Sequence, residues 1–280
     1  MSLALLLVSV VAGILSGILG IGGAVVLIPL MRVVPPLLGA GELTMGEIAG
    51  ITMAQVLAAS IAGWISHKRG GHAHTPTVLA LGLPMAAAAF IGAYWKLPDE
   101  PRRIVFGSLV AVALLMLFGK SSEEKKRAET ADDAAETAEF SPNIALSGVL
   151  GGFVGLAAGI VGAGGGFMII PLMIRVLKAP MRIAVGSSLG IVVIGAVMGT
   201  AGKAFSGQIE WSYLPPVILG SIPASIIGSK ISRAMNPGHL RKLLILIVSM
   251  TFVHTWWEVA RDWKKSDVSA EETGNAHSQR

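Results

Sequence analysis

What constrains this chain most is where its charges are missing. Asp, Glu, Lys and Arg make up 14% of its 280 residues, against about 25% in an average soluble domain. They are bunched, so that uncharged stretches run over 1–31, 48–67, 70–95 and 104–119, and again over 140–174, 183–202, 211–229 and 243–257. A bilayer core takes a helix of about 20 residues, with a working range of about 17–25. All eight stretches qualify, two of them as slightly short cores, and the expected fold class is an all-α polytopic membrane protein. The first stretch has no Lys or Arg before it and outruns a signal h-region without an A-x-A-like site, so it reads as mature structure. The absence of cysteine excludes disulfides, thiolate metal sites and cysteine nucleophiles. A net charge of +5 could suit nucleic acid, but the basic residues sit singly or in pairs between apolar runs. That pattern belongs to membrane topology, so the expected partner is a lipid bilayer and not a nucleic acid.

The chain also repeats itself. The segment 11–31 returns as 153–173, with ten of twenty-one positions identical, among them Gly20, Gly22, Gly23 and Pro29 against Gly162, Gly164, Gly165 and Pro171. Ile48-Ala49 followed by Thr52 resembles Ile183-Ala184 followed by Ser187, and Gly82-Leu83-Pro84 returns with one insertion as Gly220-Ser221-Ile222-Pro223. The expected organisation is membrane repeat 1 over 1–119, a polar linker over 120–141, membrane repeat 2 over 142–258 and a polar tail over 259–280. The linker is rich in strong helix formers, and the Ser/Glu/Asn-rich tail is expected to be mobile.

The first stretch of each repeat is too long for one straight span. At about 1.5 Å per residue these stretches would reach about 46 and 52 Å, against a hydrocarbon core of about 30 Å. The break belongs at Gly20-Ile21-Gly22-Gly23 and at Gly162-Ala163-Gly164-Gly165-Gly166, where each Gly lowers helix propensity by about 1 kcal/mol and positive φ is open. A half-helix, a Gly turn and a second half-helix from near Ala24 or Phe167 are expected. Bare backbone at membrane depth is tolerated only inside protein or along a wet cavity. Half-helix N-termini at matching places in two repeats point to a transporter's anion site. Gly22, Gly23, Gly164, Gly165 and Gly166 are therefore candidate substrate-binding residues. Gly13, Gly17, Gly155 and Gly159 read instead as close helix packing.

On these residues the chain resembles the sulfite exporter TauE/SafE family, also called the 4-toluene sulfonate uptake permease family. The resembling elements are Ser16-Gly17-Ile18-Leu19-Gly20-Ile21-Gly22-Gly23 through Ile28-Pro29-Leu30, their copy from Gly159 through Leu172, and Ala184-Val185-Gly186-Ser187-Ser188-Leu189. The resemblance implies a permease for sulfur-containing anions, such as sulfite or organosulfonates, in the cytoplasmic membrane. The first copy departs from the pattern, with Ala24 against Gly166 and Ile51-Thr52-Met53 against Gly186-Ser187-Ser188. The half-sites are then unequal, and the second is favoured.

Polar groups inside spans are costly and are functional candidates by default. Thr52 and Gln55 share a helix face, Ser187 and Ser188 lie at the equivalent place of the second repeat, and all four are candidates for substrate binding. Helix–helix hydrogen bonding is the alternative for each. Thr44-x-x-Glu47 reads as a capping box rather than a proton carrier. Arg32 and Arg175 read as interfacial anchors, Lys203 as a helix-end anchor or a cationic gate, and Trp64, Trp95, Trp211, Trp256 and Trp257 as an aromatic belt. His67, His72 and His74 lack an accompanying carboxylate or cysteine, so no metal is expected. No zinc-protease, hydrolase-elbow or P-loop motif is present, so neither an enzyme nor a cofactor is expected.

If all eight stretches cross, the halves are parallel and the basic residues divide almost evenly, about ten to eleven, which decides no orientation. If each first stretch dips in and returns, the halves are inverted. Lys68, Lys125, Arg175, Lys178, Arg233 and Arg241 then share a side carrying about thirteen basic residues against eight, which positive-inside places in the cytoplasm with both termini outside. The inverted arrangement is preferred because it also explains the over-long first stretches. The functional expectation is a secondary transporter of small sulfur-containing anions by alternating access in the cell (inner) membrane. A small-anion channel and a non-transport membrane subunit are the alternatives, and homodimerisation is left open.

Overall fold

The computed structural model describes residues 1–39, 41–68, 74–118 and 143–278. These form α1 (Ser2–Leu19), α2 (Ala24–Leu37), α3 (Met45–Lys68), α4 (Thr75–Tyr94) and α5 (Asp99–Phe118), then α6 (Ile144–Val161), α7 (Gly166–Arg175), α8 (Met181–Phe205), α9 (Leu214–Ala234) and α10 (Pro237–Ser278). Among the described residues there is no strand. Among the described residues eight helices are long and apolar enough to cross a bilayer, and α2 and α7 are shorter apolar helices. The linker lies outside the described residues.

Local chemistry sets the boundaries. The box at Thr44 and Glu47 forms as the sequence predicts: Thr44 N donates to Glu47 Oε2 at 2.8 Å, and Glu47 N donates to Thr44 Oγ1 at 3.2 Å. Asn143 Oδ1 accepts from Leu146 N at 3.1 Å and starts α6. α1 and α6 each end on a left-handed glycine, Gly20 and Gly162, whose N–H groups donate at 2.8 Å to Ser16 O and Ala158 O. α2 starts at the expected Ala24, whereas α7 starts at Gly166, one residue before Phe167. The tail, expected to be mobile, continues α10 as helix to Ser278. Its Ala, Glu and Lys residues favour helix, and no proline interrupts it.

After each Gly turn the chain folds back. A Cβ on Gly23 would meet Ala12 O and Ser16 Cβ, and one on Gly165 would meet Val154 and Ala158, so α2 doubles back along α1 and α7 along α6. Packing between the halves is reciprocal: α1 lies along α9, and α6 along α4. Gly13 and Gly17 touch the α9 backbone, Gly155 and Gly159 the α4 backbone, so all four serve close helix packing. α3 and α8 lie inside this frame. Leu7, Ile91, Leu115, Leu219 and Met250 are exposed on the outside, a surface suited to lipid.

The helix ends meet in two groups. Gln208 Nε2 donates to Ala93 O at 3.0 Å and Met45 N to Asp99 Oδ2 at 3.2 Å. In the other group Arg233 Nη1 donates to Ser66 O at 3.2 Å, Arg175 Nε to Met116 O at 2.7 Å and Arg241 Nη2 to Leu117 O at 3.4 Å.

Candidate functional site

The two Gly turns share one backbone conformation. Gly20, Gly22 and Gly23 have φ of 72, 76 and 87°, and their counterparts Gly162, Gly164 and Gly165 have 80, 62 and 69°. A side chain there would cost about 1–2 kcal/mol per residue. The turns are buried and lie against each other, since a Cβ on Gly166 would fall on the backbone of Ile21. Gly166 is thus required by contact, not by its own backbone angle. Each turn is also held by the opposite half: Gly20 meets Val185 and Ser188 of α8, while Gly162 and Gly164 meet Ala49 and Val56 of α3. Val56 lies 3.0 Å from where a Cβ on Gly22 would be, and Val192 touches the sites of Gly22 and Gly166, so two valines fill the junction. α2 and α7 begin here, and the first N–H groups of a helix have no partner within it.

One face of α3 turns Thr52, Gln55, Val56 and Ser60 toward this junction. Gln55 Nε2 and Ser16 Cβ each lie 3.2 Å from the Cβ position of Gly23, and Ser60 Oγ lies 3.5 Å from that of Gly22. Ser16 Oγ, Thr52 Oγ1, both amide atoms of Gln55 and Ser60 Oγ are buried without a hydrogen-bond partner. Each such group costs about 1–3 kcal/mol. Four side chains then cost about 4–12 kcal/mol, on the scale of a whole domain's stability of about 5–15 kcal/mol.

The hydroxyls of α8 are engaged. Ser188 Oγ lies 2.8 Å from Gly20 O and 2.9 Å from Val185 O, pinning the first turn from the other half. Ser187 Oγ accepts from His74 N at 2.9 Å, at the start of α4. The structure therefore brings Gly22, Gly23, Gly164, Gly165, Gly166, Gln55 and Ser188 to the junction, sets Thr52 on the same α3 face, and turns Ser187 toward α4. Of the unpaired polar side chains, Ser16, Gln55 and Ser60 lie at the first turn, although the sequence favours the second. Thr200 and Ser225 donate to Met53 O and Ala59 O at 3.3 and 2.7 Å, as ordinary helix–helix bonds.

Two cations are buried, of which the sequence reading singled out Lys203 and missed Arg102. Lys203 is 0% exposed and Arg102 2%. Lys203 Nζ donates to Ile160 O at 3.2 Å and to Gln208 Oε1 at 2.9 Å, and Arg102 Nη2 donates to the same oxygen at 3.1 Å and to Leu97 O at 2.9 Å. Asp99 Oδ1 stands 3.9 Å from Arg102 Nη1, but Arg102 Nε and Nη1 make no hydrogen bond. Lys203, read as a helix-end anchor or a cationic gate, is at a helix end but inside the protein. Arg102 lies on the charged first turn of α5, where a search for uncharged spans does not look.

The remaining charged candidates are structural. Arg32 Nε pairs with Glu258 at 3.4 Å, and Arg175 holds α5 as described. Trp95, Trp211 and Trp257 are exposed, but Trp64 packs on Gly190 of α8. His72 lies outside the described residues, and nothing is described of the His67 side chain. Among the described residues no His, Asp and Glu cluster could hold a metal.

A helical membrane protein with paired, fold-back Gly turns meeting at its centre is built as a carrier of polar solutes is expected to be. The family model described as "Sulfite exporter TauE/SafE" matches residues 5–255, and the chain belongs to that family, one of membrane transporters rather than enzymes. It is 27% identical over 257 residues to a "Probable membrane transporter protein" of Xylella fastidiosa (strain Temecula1), covering 90% of this chain and 92% of that one. It is 20% identical over 259 residues to the "Probable membrane transporter protein YunE" of Bacillus subtilis (strain 168), covering 89% and 93%. A "Probable membrane transporter protein" of Haemophilus influenzae is 28% identical over 239 residues, covering 81% and 85%. No solved structure matches the chain.

Proposed function

We propose that this transporter moves small sulfur-containing anions, of the sulfite or organosulfonate type, by alternating access between two inverted repeats. The observation that carries the reading is the set of unpaired buried groups at the Gly-turn junction, with Ser16, Gln55 and Ser60 at the first turn and Thr52 on the same α3 face. Donors without partners, next to a helix N-terminus and without a carboxylate among them, suit an anion with several acceptor oxygens. The anion lies between the turns, held by N–H groups at the start of α2 and α7 and by Thr52 and Gln55. Ser188 positions the first turn through Gly20, and Ser187 fixes α8 to the start of α4. Val56 and Val192 close the junction, and rocking of one half against the other parts them.

Inversion is supported by the way the helix ends group. With parallel halves, Gln208 and Arg102 would lie on opposite faces of the membrane, as would Arg241 and Leu117, yet each pair is bonded. With inverted halves each pair shares a face. The sulfur-containing substrate class is supported by the family's description.

Uptake into proteoliposomes tests this, with sulfite, sulfoacetate, taurine, sulfate and a carboxylate of similar size. Saturable uptake of sulfite or sulfoacetate with counterflow is expected. Equal rates for all the anions, or flux that never saturates, would replace the carrier with a channel.

A further inference from the structure

The buried pair Arg102 and Lys203 lies away from the Gly-turn junction, and its arrangement has no purely structural logic. Two cations share one neutral acceptor, Gln208 Oε1. Asp99, the carboxylate paired with Arg102 among the described residues, is 41% exposed and also accepts from Met45 N. Arg102 Nε and Nη1 are buried donors with no acceptor, and an ammonium group has three protons, of which Lys203 directs two at Ile160 O and Gln208 Oε1. A buried cation is ordinarily matched by a buried anion. Here Asp99 stands 3.9 Å from Arg102 Nη1, and among the described residues Lys203 has no carboxylate partner.

A bay of about 660 Å³ opens beside the cluster, lined by Ile91, Tyr94, Trp95, Lys96, Phe205 and Ser206. Its inner wall, Ser206, bonds Gln208: Gln208 Nε2 donates to Ser206 Oγ at 2.7 Å. Behind Gln208 stand the two cations, and Lys203 in turn holds Ile160 O, two residues before the Gly162 turn. Lys96 at the rim adds a third positive charge to the approach.

We propose that Arg102, Lys203 and Gln208 form a second anion site, separate from the Gly-turn junction, which takes a small free oxyanion from this bay. The oxyanion accepts from an unpaired N–H of Arg102 and from Lys203 Nζ, while Gln208 keeps the cations apart. Its place between bay and turn makes it a loading station on one face of the protein, a role that rests on the transport reading. Anion binding itself does not.

The test is Gln208→Glu, which keeps the shape of the side chain and puts the missing negative charge between the cations. Initial rates of sulfite and sulfate uptake are measured in neutral phospholipid proteoliposomes at fixed ionic strength, together with the Tm of the purified protein. The expected result is a KM raised by about tenfold or more, a larger effect than on the saturating rate, with Tm unchanged or raised. Binding is also measured directly in Thr52→Val/Gln55→Leu by the sulfite- and sulfate-dependent shift in Tm. A shift that persists in this variant and disappears when Gln208→Glu is added supports the second site, even if Thr52→Val/Gln55→Leu transports normally and so overturns the junction. An unchanged KM in Gln208→Glu, a lowered Tm with loss of rate alone, or a Tm shift that follows anionic lipid and not free oxyanion would each overturn the proposal.

Discussion

Replacing Gln55 by Leu separates a residue kept for function from one kept for the fold, because the two readings move stability in opposite directions. Both amide atoms of Gln55 are buried without partners, and Nε2 faces Gly23. Leu has nearly the volume of Gln and no polar atoms, so the substitution removes an unpaired amide at little cost in packing. The resting protein should gain about 1–3 kcal/mol. At about 2–4 °C per kcal/mol for a chain of this size, Tm should rise by about 2–12 °C. Transport should move the other way. A hydrogen bond to a charged group is worth about 1.5–3 kcal/mol, so apparent affinity for sulfite should fall by about 10–150-fold at about 1.4 kcal/mol per decade. The assay pairs thermal unfolding of purified protein with the concentration dependence of uptake into proteoliposomes. A lowered Tm with unchanged uptake would refute the reasoning, because Gln55 would then be a satisfied structural residue.

Three further outcomes are expected. Gly165→Val places a β-branched side chain at φ 69° against Val154, Met85 and Ala158; it should cost about 2–5 kcal/mol and abolish uptake while inserted protein is still recovered from membranes, and normal uptake would remove this turn from the site. Val56→Ala opens the junction, so anion leak measured by stopped-flow should rise while stability falls by about 1–3 kcal/mol; an unchanged leak would show that Val56 is not the seal. Glu47→Ala should cost about 1 kcal/mol through the lost cap and leave the pH dependence of uptake as it was, whereas a changed pH profile would make Glu47 a proton carrier.

Much of the fold was legible because lipid leaves a chain few choices. Uncharged stretches of membrane length marked the eight long helices, and the excess length of two of them marked the breaks at Gly20–Gly23 and Gly162–Gly166. Identity between the copies extends to backbone angle, since the matched glycines carry matched positive φ. The site was legible only in part. Thr52 and Gln55 stood out as polar residues inside a span, but pairing depends on neighbours far away in the chain. Ser188 finds Gly20 O, Ser187 finds His74 N, and Thr52 finds nothing. Three hydroxyls that look alike in sequence therefore differ in consequence. Ser16 sits in the Gly-rich motif, yet its importance depends on the fold-back that brings Gly23 beside it. The burial of Arg102 and Lys203 was hidden by their position at helix ends, where a charge ordinarily faces water.

The account rests on an anion lying among the side chains at the Gly-turn junction, and the chain's lack of cysteine allows a direct measurement. Thr52→Cys is made in the otherwise native protein, reconstituted, and labelled with a charged, membrane-impermeant thiol reagent with and without sulfoacetate. The account predicts labelling that is slow but complete, because the junction opens in turn to one side, and a rate that falls as sulfoacetate occupies the site. A thiol that is never labelled, or is labelled at the same rate at every sulfoacetate concentration, would contradict it.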